Sequence, residues 1–280
     1  RNLRAAADAA ERHTEHAGRL GVDEAERMRW QAAAEGMYIP YDRELAIHPQ
    51  AEQFTTHQVW DFEHTRDDEY PLFLHFPYFD LYRRQVVKQA DLVLAMQLRD
   101  DAFTEEQKAR NFTYYEALTV RDSSLSGITQ AVLAAELGHL DLAYDYLAEV
   151  SQMDLHDLAH NTRNGLHMAS LAGAWTVLVA GFGGLRARGG RPAFAPRLPN
   201  GISRLSFNLW YRRRNLCVTA TPGQAFYELK EGEPLTFLHY GEPAVATTDD
   251  PVKLPIPALS ARPRPRQPHG REPARRIPPG

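Results

Sequence analysis

The sequence predicts a mainly α-helical chain with a small β module near its C-terminal side. Three observations carry this. Helix-length stretches with apolar residues near a 3.6-residue period follow one another up to about residue 188. From about residue 189 to 248 the pattern switches to short alternating runs separated by Pro-Asn-Gly, Pro-Gly and Glu-Gly turns. Residues 249–280 then concentrate proline and arginine and read as a disordered tail.

Taken in order, residues 1–20 read as an Ala-rich helix ending near Gly18 or Gly21. A second helix starts after Asp23, an N-cap with Glu26 three positions on. Residues 37–80 hold Pro40, Pro49, Pro71 and Pro77 among aromatics, which excludes a long helix yet is too apolar for a linker. A long ordered loop is expected there, of the kind that carries function. "RQVVKQADLVLAMQLRD" reads as a helix, placing Lys88 and Gln89 on an otherwise apolar surface. Thr104 and Gln107 suit a capped start for the next helix. "SGITQAVLAAELG" ends at Gly138 and is followed three residues later by "DLAYDYLAEVSQMDL", which makes a helix hairpin. "GLHMASLAGAWTVLVAGFGGL" is almost wholly apolar and should be buried on most sides. In the β module, Leu205, Phe207, Leu209 and Tyr211 alternate, as do Leu216, Val218 and Ala220, with Cys217 read as core.

The chain has 280 residues and a formal charge of −4, which hides an asymmetry. Residues 251–280 carry +6, so residues 1–250 sit near −10. So acidic a body is unsuited to gripping nucleic acid or an anionic membrane. The single cysteine allows no intrachain disulfide, which suits a reducing cytoplasm. No apolar run is long enough for a membrane span, and the N-terminal residues do not form a signal peptide. Without an initiator Met, the chain is expected to begin partway through a longer polypeptide.

Two helix entrances could carry chemistry. "TVRDSSLS" supplies the hydroxyls of Thr119, Ser123, Ser124 and Ser126 beside the unpaired N–H groups of a helix start, an arrangement suited to phosphate or sulfate. The plainer alternative is one capping serine with the rest solvated. In "NTRNGLHMAS", His167 opens a hydrophobic helix, as an anion contact or proton donor, or as a core histidine bonded to a carbonyl. Lys88 on an internal face would need an anion or a sugar hydroxyl network; at a helix edge its head would reach water. "HDLAH" at 156–160 mimics a zinc-protease pattern, but Asp157 is one methylene shorter than the usual base and no third ligand is evident, so no metal is expected.

The blocks "GMYIPYDRELAIHPQ", "VVKQADLVLAM", "NFTYYEALTVRDSSLS", "AAELGHLDLAYDYL" and "NTRNGLHMASLAGAWTVLVAGFGGLR" together resemble glycoside hydrolase family 65, which includes maltose, trehalose and kojibiose phosphorylases. The resemblance runs over roughly residues 1–225. It implies that residues 1–188 are the C-terminal part of an (α/α)6 toroid barrel and residues 189–248 a small C-terminal antiparallel β-sheet domain. It also implies a reaction: inorganic phosphate attacks the anomeric carbon of an α-glucosidic disaccharide with inversion, while a carboxylic acid protonates the leaving oxygen. On that resemblance Ser123, Ser124 and His167 contact phosphate, and Lys88 and Gln89 contact the sugar or phosphate. The partners implied are the disaccharide and phosphate as co-substrate, with no cofactor, no nucleic acid, no membrane, and a homodimer in the full-length protein. The family's acid lies in a "DEYH"-type motif earlier in the order of motifs. The only "DEY" here, Asp68–Tyr70, is out of order and Glu69 is not assigned to it, so the acid is expected outside this chain and the chain alone is expected to be inactive. Rival expectations are an inverting hydrolase, with Asp122 or Glu116 activating water, and a non-catalytic interaction domain.

Overall fold

The computed structural model describes residues 1–259 and 262–273. The chain divides into two compact units, one ending at Tyr41 and one beginning at Asp42. The first is a helical hairpin of α1 (Asn2–Arg12), α2 (Thr14–Arg19) and α3 (Glu24–Glu35). The expected single first helix is broken at His13, whose φ/ψ of −123° and 57° leave the helical region. α3 starts as expected: Asp23 Oδ1 accepts the Glu26 N–H at 2.7 Å.

In the second unit, residues 42–90 contain only short elements: a 3-10 turn at Phe54–Thr56, β1 (Gln58–Val59), a turn at Asp67–Glu69, α4 (Leu72–His75), α5 (Tyr78–Leu81) and β2 (Arg84–Gln85), which pairs in parallel with β1. The loop is nonetheless pinned to helices. His48 N–H donates to Asn111 Oδ1 at 2.8 Å, and the Tyr115 hydroxyl donates to His48 O at 2.8 Å. The expected helix over residues 84–100 is shortened to α6 (Asp91–Leu98). Ahead of it, Val87 forms an isolated parallel bridge with Thr119, its N–H donating to Leu118 O and its carbonyl accepting from Val120. Two β-branched residues prefer this extended pairing to a helix start, so Lys88 and Gln89 lie in the loop before α6 and not on a helix.

The helical body follows: α7 (Glu105–Glu116), α8 (Ser126–Glu136), α9 (Leu140–Gln152) and α10 (Met168–Thr176), which continues as a π-helical turn over Val177–Phe182. α7 opens with a reciprocal capping box: Thr104 Oγ1 accepts from Gln107 N, and Gln107 Oε1 accepts from Thr104 N. Thr104→Ala is therefore expected to cost about 1 kcal/mol, read as a lower urea midpoint at unchanged m-value. α8 ends on Gly138 at φ +88°, with Gly138 N–H bonded to Ala135 O and His139 N–H to Ala134 O, a Schellman closure that turns the chain into α9. Their shared core includes Val93, Met96, Phe112, Tyr115, Leu133, Tyr146 and Val177. α10 departs from expectation. Its small side, Ser170 and Gly173, is buried, but Met168, Leu171 and Trp175 form an exposed apolar stripe.

The β region is two four-stranded sheets. One runs β10-β7-β6-β5, from β5 (Leu205–Tyr211), β6 (Arg214–Thr221), β7 (Gln224–Glu231) and β10 (Val252–Pro255), all antiparallel. The other runs β3-β4-β8-β9, from β3 (Arg186–Arg188), β4 (Arg191–Phe194), β8 (Leu235–His239) and β9 (Glu242–Ala246), with β4 and β8 parallel. Leu216, Val218, Tyr227 and Leu229 from one sheet pack with Phe194 and Phe237 from the other. The alternation runs as expected, and it puts Cys217 half-buried on the face opposite Leu216 and Val218, beside Ser206, and not in the core.

A buried charged junction ties this region to the helices. Lys108 Nζ lies 2.6 Å from both Asp100 and Glu136, which in turn bind Arg188 and Arg186 of β3. Burial works against the Asp100 charge, but Arg188 and Lys108 hold its carboxyl down to about 2.

The tail, expected to be disordered from residue 249, forms β10 and then docks on the helices. Arg262 pairs with Glu105 and Arg264 with Asp145. Its arginines find carboxylates on an acidic body, and its prolines impose an extended course that needs no ladder of its own. The remainder of that segment, residues 260–261 and 274–280, lies outside the described residues. None of the helices among the described residues is long and apolar enough to cross a membrane.

Candidate functional site

The loop of residues 70–90 and the strand-like segment before α8 enclose a cleft of about 510 Å³. Phe73, Tyr78, Tyr82, Lys88, Gln89 and Asp122 are among its lining residues. The rings of Tyr78 and Tyr82 stack with centroids 5.5 Å apart and remain largely exposed. Lys88 Nζ sits 4.3 Å over the Phe73 ring with its side chain open to solvent, so the aromatic face and not an internal anion orients the ammonium. Apolar ring faces edged by an amide, an ammonium and a carboxylate suit a sugar, whose C–H faces stack and whose hydroxyls need hydrogen bonds.

The four hydroxyls of "TVRDSSLS" have different fates. Thr119 Oγ1 donates inward to Tyr115 O at 2.7 Å, and Ser126 is buried. Ser123 Oγ donates to Gln89 Oε1 at 2.9 Å, and Gln89 Nε2 donates on to Asp91 Oδ1 at 2.9 Å. Ser124 is half-buried at the same turn. The capping alternative is not what forms: α8 begins after Leu125 with no side-chain cap, and Ser123 Oγ reaches only the Leu125 N–H at 3.4 Å. Ser126 N–H is taken by Ser123 O at 3.2 Å, and no side chain caps the amides that follow, at the positive end of an 11-residue helix.

His167 is the residue before α10, and its partner is a carboxylate, not a backbone carbonyl. Asp154 Oδ2 accepts the His167 N–H at 2.8 Å, and Asp154 Oδ1 lies 2.6 Å from Nδ1. The His167 ring holds the Asp154 carboxyl below its ordinary range. An ionised Asp154 fixes the proton on Nδ1 and leaves Nε2 for a ligand. The two helix starts come to the same end of the helix pair, both beside the end of α9. A Cβ on Gly127 would meet Val150 Cγ1 at 3.0 Å, and Ser170 Oγ bonds Val150 O at 3.4 Å. α8 and α10 can run so close because Gly173 has no side chain: a Cβ there would lie 2.1 Å from Ile128 Cδ1.

Beneath the serine turn lies a buried polar cluster that the sequence did not announce. Arg121 takes a left-handed φ of +55°, which sends its side chain into the interior while Asp122 lines the cleft. Its Nε is 3.5 Å from Glu149 Oε1, its Nη1 3.4 Å from the Tyr146 hydroxyl. The Tyr146 hydroxyl donates to Glu116 Oε1, and Gln130 Nε2 donates to Glu116 Oε2 at 2.7 Å. Burial raises the Glu116 carboxyl, against the opposing pull of Tyr146 and Arg121. With both oxygens engaged and 1% exposure, Glu116 cannot activate water at a substrate, which removes it from the hydrolytic alternative. Asp122 lines the cleft, but its side chain is only 2% exposed: Oδ2 accepts the Leu72 N–H at 2.7 Å and Oδ1 faces Arg271.

"HDLAH" does not form a continuous helix. α9 ends at Gln152, Asp157 and His160 take positive φ, and Asp157 Oδ1 accepts the N–H groups of Asn161 and Thr162, so the two histidines share no helical face. Glu69 is committed to its own turn, accepting the Arg66 N–H at 2.8 Å. Sequence reasoning missed Asp154, Tyr146, Glu149, Gln267 and Arg271. Only Asp154 left a usable signal, an acid at the end of a helix facing a histidine at the start of the next.

Comparison with known proteins extends these observations. Residues 1–176 match the glycosyl hydrolase family 65 central catalytic domain, and residues 185–246 match the C-terminal domain of the same family. An uncharacterized glycosyl hydrolase of Mycobacterium leprae is 53% identical over 98% of this chain and 35% of its own length. An α,α-trehalose phosphorylase of Geobacillus stearothermophilus is 39% identical over 90% of this chain and 34% of its own. A solved structure of a protein described as a candidate kojibiose phosphorylase from the human microbiome superposes with a TM-score of 0.77 at 26% identity, over 87% of this chain and 32% of that one. The chain thus spans about a third of the length of the curated relatives it matches. Both halves of the chain, helical and β, fall within successive domains of one family, and the chain belongs to glycosyl hydrolase family 65.

Proposed function

We propose that this chain supplies the phosphate-binding end and part of the sugar cleft of an inverting disaccharide phosphorylase, one that converts an α-glucosidic disaccharide and phosphate into β-glucose 1-phosphate and glucose. The observation that carries the reading is the pair of helix starts at one end of the body. One offers Ser123 and Ser124 at a helix start that no side chain caps; the other offers His167 with Nδ1 held by Asp154. Such donors suit a tetrahedral oxyanion, with charge-assisted bonds of about 1.5–3 kcal/mol each. Phosphate held there takes the position that water occupies in an inverting hydrolase. Gln89, oriented by Ser123, and Lys88 border the adjoining sugar cleft, so the sugar and the nucleophile are positioned by one hydrogen-bonded chain. Phosphate is a co-substrate and no bound cofactor is invoked. The proton donor to the leaving oxygen is not among these residues, so the chain by itself is expected to bind but not turn over.

The rival reading is hydrolysis, for which Asp122 beside the cleft would have to exchange its bond to the Leu72 N–H for water. A polypeptide extended at the N-terminus to the length of the trehalose phosphorylase relatives separates the two. Incubated with trehalose, maltose or kojibiose, it is expected to release glucose 1-phosphate in proportion to added phosphate. Free glucose released in equal amounts from both halves, at a rate indifferent to phosphate, overturns the phosphorolytic reading. The 280-residue chain binding neither phosphate nor any of the three sugars by calorimetry, yet associating with a separately produced N-terminal part, favours a non-catalytic interaction role.

A further inference from the structure

The tail makes its most specific contacts at the turn that presents the serines. Arg271 Nε donates to Val120 O at 2.7 Å, and its Nη2 lies 3.5 Å from Arg121 O and 3.6 Å from Asp122 Oδ1. Its guanidinium also stacks 4.6 Å over the Tyr70 ring, at the start of the loop whose Leu72 N–H binds Asp122. Four residues earlier, Gln267 Nε2 donates to Glu116 Oε1 and to the Tyr146 hydroxyl, both at 2.8 Å, closing the buried cluster from outside. Pro265, Pro268 and Pro273 are buried along the same path, so the segment is packed and not merely laid on charges.

These contacts converge on three consecutive residues that cannot hold themselves. Arg121 sits at a φ of +55° without being glycine, a strained conformation that persists only when its surroundings impose it. Val120 is held on one side by Val87 through its N–H and on the other by Arg271 through its carbonyl. Asp122 is held by Leu72 and faces Arg271. Ser123 follows directly.

We propose that residues 262–273 are a positioning strap for the anion-binding turn, with Arg271 as the positioning residue that fixes Val120–Asp122 and thereby aims Ser123, Ser124 and the first amides of α8. The inference deepens the phosphate reading and rests on it for its ligand. The strap itself touches no phosphate; it acts through the backbone it holds. Arginine is needed because one fork reaches two carbonyls and a carboxylate while its face stacks on Tyr70, which a lysine cannot reproduce.

The test uses the full chain with Arg271→Ala, Arg271→Lys and Gln267→Ala, and inorganic phosphate as probe. Hydrogen–deuterium exchange of the amides of residues 120–127 is expected to quicken at least tenfold in Arg271→Ala and less in Gln267→Ala, while α9 amides keep their protection. Isothermal titration is expected to show phosphate affinity falling about tenfold in Arg271→Ala, with only partial recovery in Arg271→Lys. A synthetic peptide of residues 258–273 added to a chain ending at residue 257 is expected to restore the slow exchange, which guards against a variant that simply misfolds. Exchange at 120–127 unchanged by Arg271→Ala overturns the strap, as does an unchanged phosphate affinity. Should the unsubstituted chain bind no phosphate while Arg271→Ala still quickens exchange, the phosphate reading falls and the positioning role of the strap is supported.

Discussion

Replacing Arg121 by methionine is expected to lower the unfolding free energy by about 3–5 kcal/mol, the cost of leaving a buried charge uncompensated. Arg121 is the cation of the cluster, with its side chain fully buried between Glu149, Tyr146 and Glu116. Methionine restores most of the volume but removes the guanidinium that faces Glu149, whose side chain is 2% exposed. The 3.5 Å separation from Glu149 is an ion-pair distance and not a well-aligned hydrogen bond, so removal is costly mainly through lost charge compensation in a buried site. Adding Glu149→Leu to Arg121→Met is therefore expected to recover most of the loss, because an apolar pair of similar volume replaces a buried ion pair at little net cost. Urea unfolding of the single and double variants closes the cycle. A loss under 1 kcal/mol in Arg121→Met would show that the cluster holds no net charge that needs pairing.

The same cluster sets a pH dependence. The Glu116 carboxyl is raised by burial above its ordinary value. Between the ordinary and the raised value, the folded state keeps a proton that the unfolded state has released, so stability falls as pH rises through that window. The groups facing Glu116 are Tyr146, Gln130, Gln267 and Arg121, of which only Arg121 is charged near neutrality. Glu116→Gln is expected to remove this slope while leaving the opposite one from Asp100, whose carboxyl is held at about 2 and whose contribution is lost only as pH falls toward that value.

What was legible in the sequence was local. Asp23, Thr104 and Gly138 mark helix ends because the groups that satisfy a helix terminus sit within four residues of it. The alternation in β5 and β6 is equally local, since side-chain direction follows the pleat. Periodicity misled at Val86–Gln89, where an apolar spacing that fits a helix belongs to a segment bridged to Thr119, a partner 32 residues away that no window contains. Composition misled over residues 262–273, whose proline and arginine content lacks an internal core yet suits an extended strap on an acidic body. For the site, the residue types at both helix starts were legible; the hydrogen bond that spends the Ser123 proton on Gln89 was not, because it spans 34 residues across a loop.

That bond separates the two serines in the largest functional effect expected. Joint replacement of Ser123 and Ser124 by alanine, in the N-terminally extended polypeptide, is expected to lower kcat/KM for phosphate by about 10²–10³-fold, the scale of removing preorganised donors from a developing charge. The single variants should divide the loss unequally. Ser124→Ala removes a hydroxyl from the α8 entrance and is expected to act on phosphate alone, about tenfold or more. Ser123→Ala also frees Gln89, which loses a 2.9 Å donor and with it a fixed amide at the cleft wall, so KM for the disaccharide should rise as well. Asp154→Asn offers a control from the other helix: it keeps a partner for His167 but exchanges a carboxylate for an amide, which changes the tautomer His167 presents and shifts the pH profile of phosphate use. Steady-state kinetics varying each substrate in turn resolves all three. Equal KM values for disaccharide in the Ser123→Ala and Ser124→Ala variants would remove the link from sugar to phosphate, and unchanged phosphate dependence in the double variant would remove phosphate from this end of the helices.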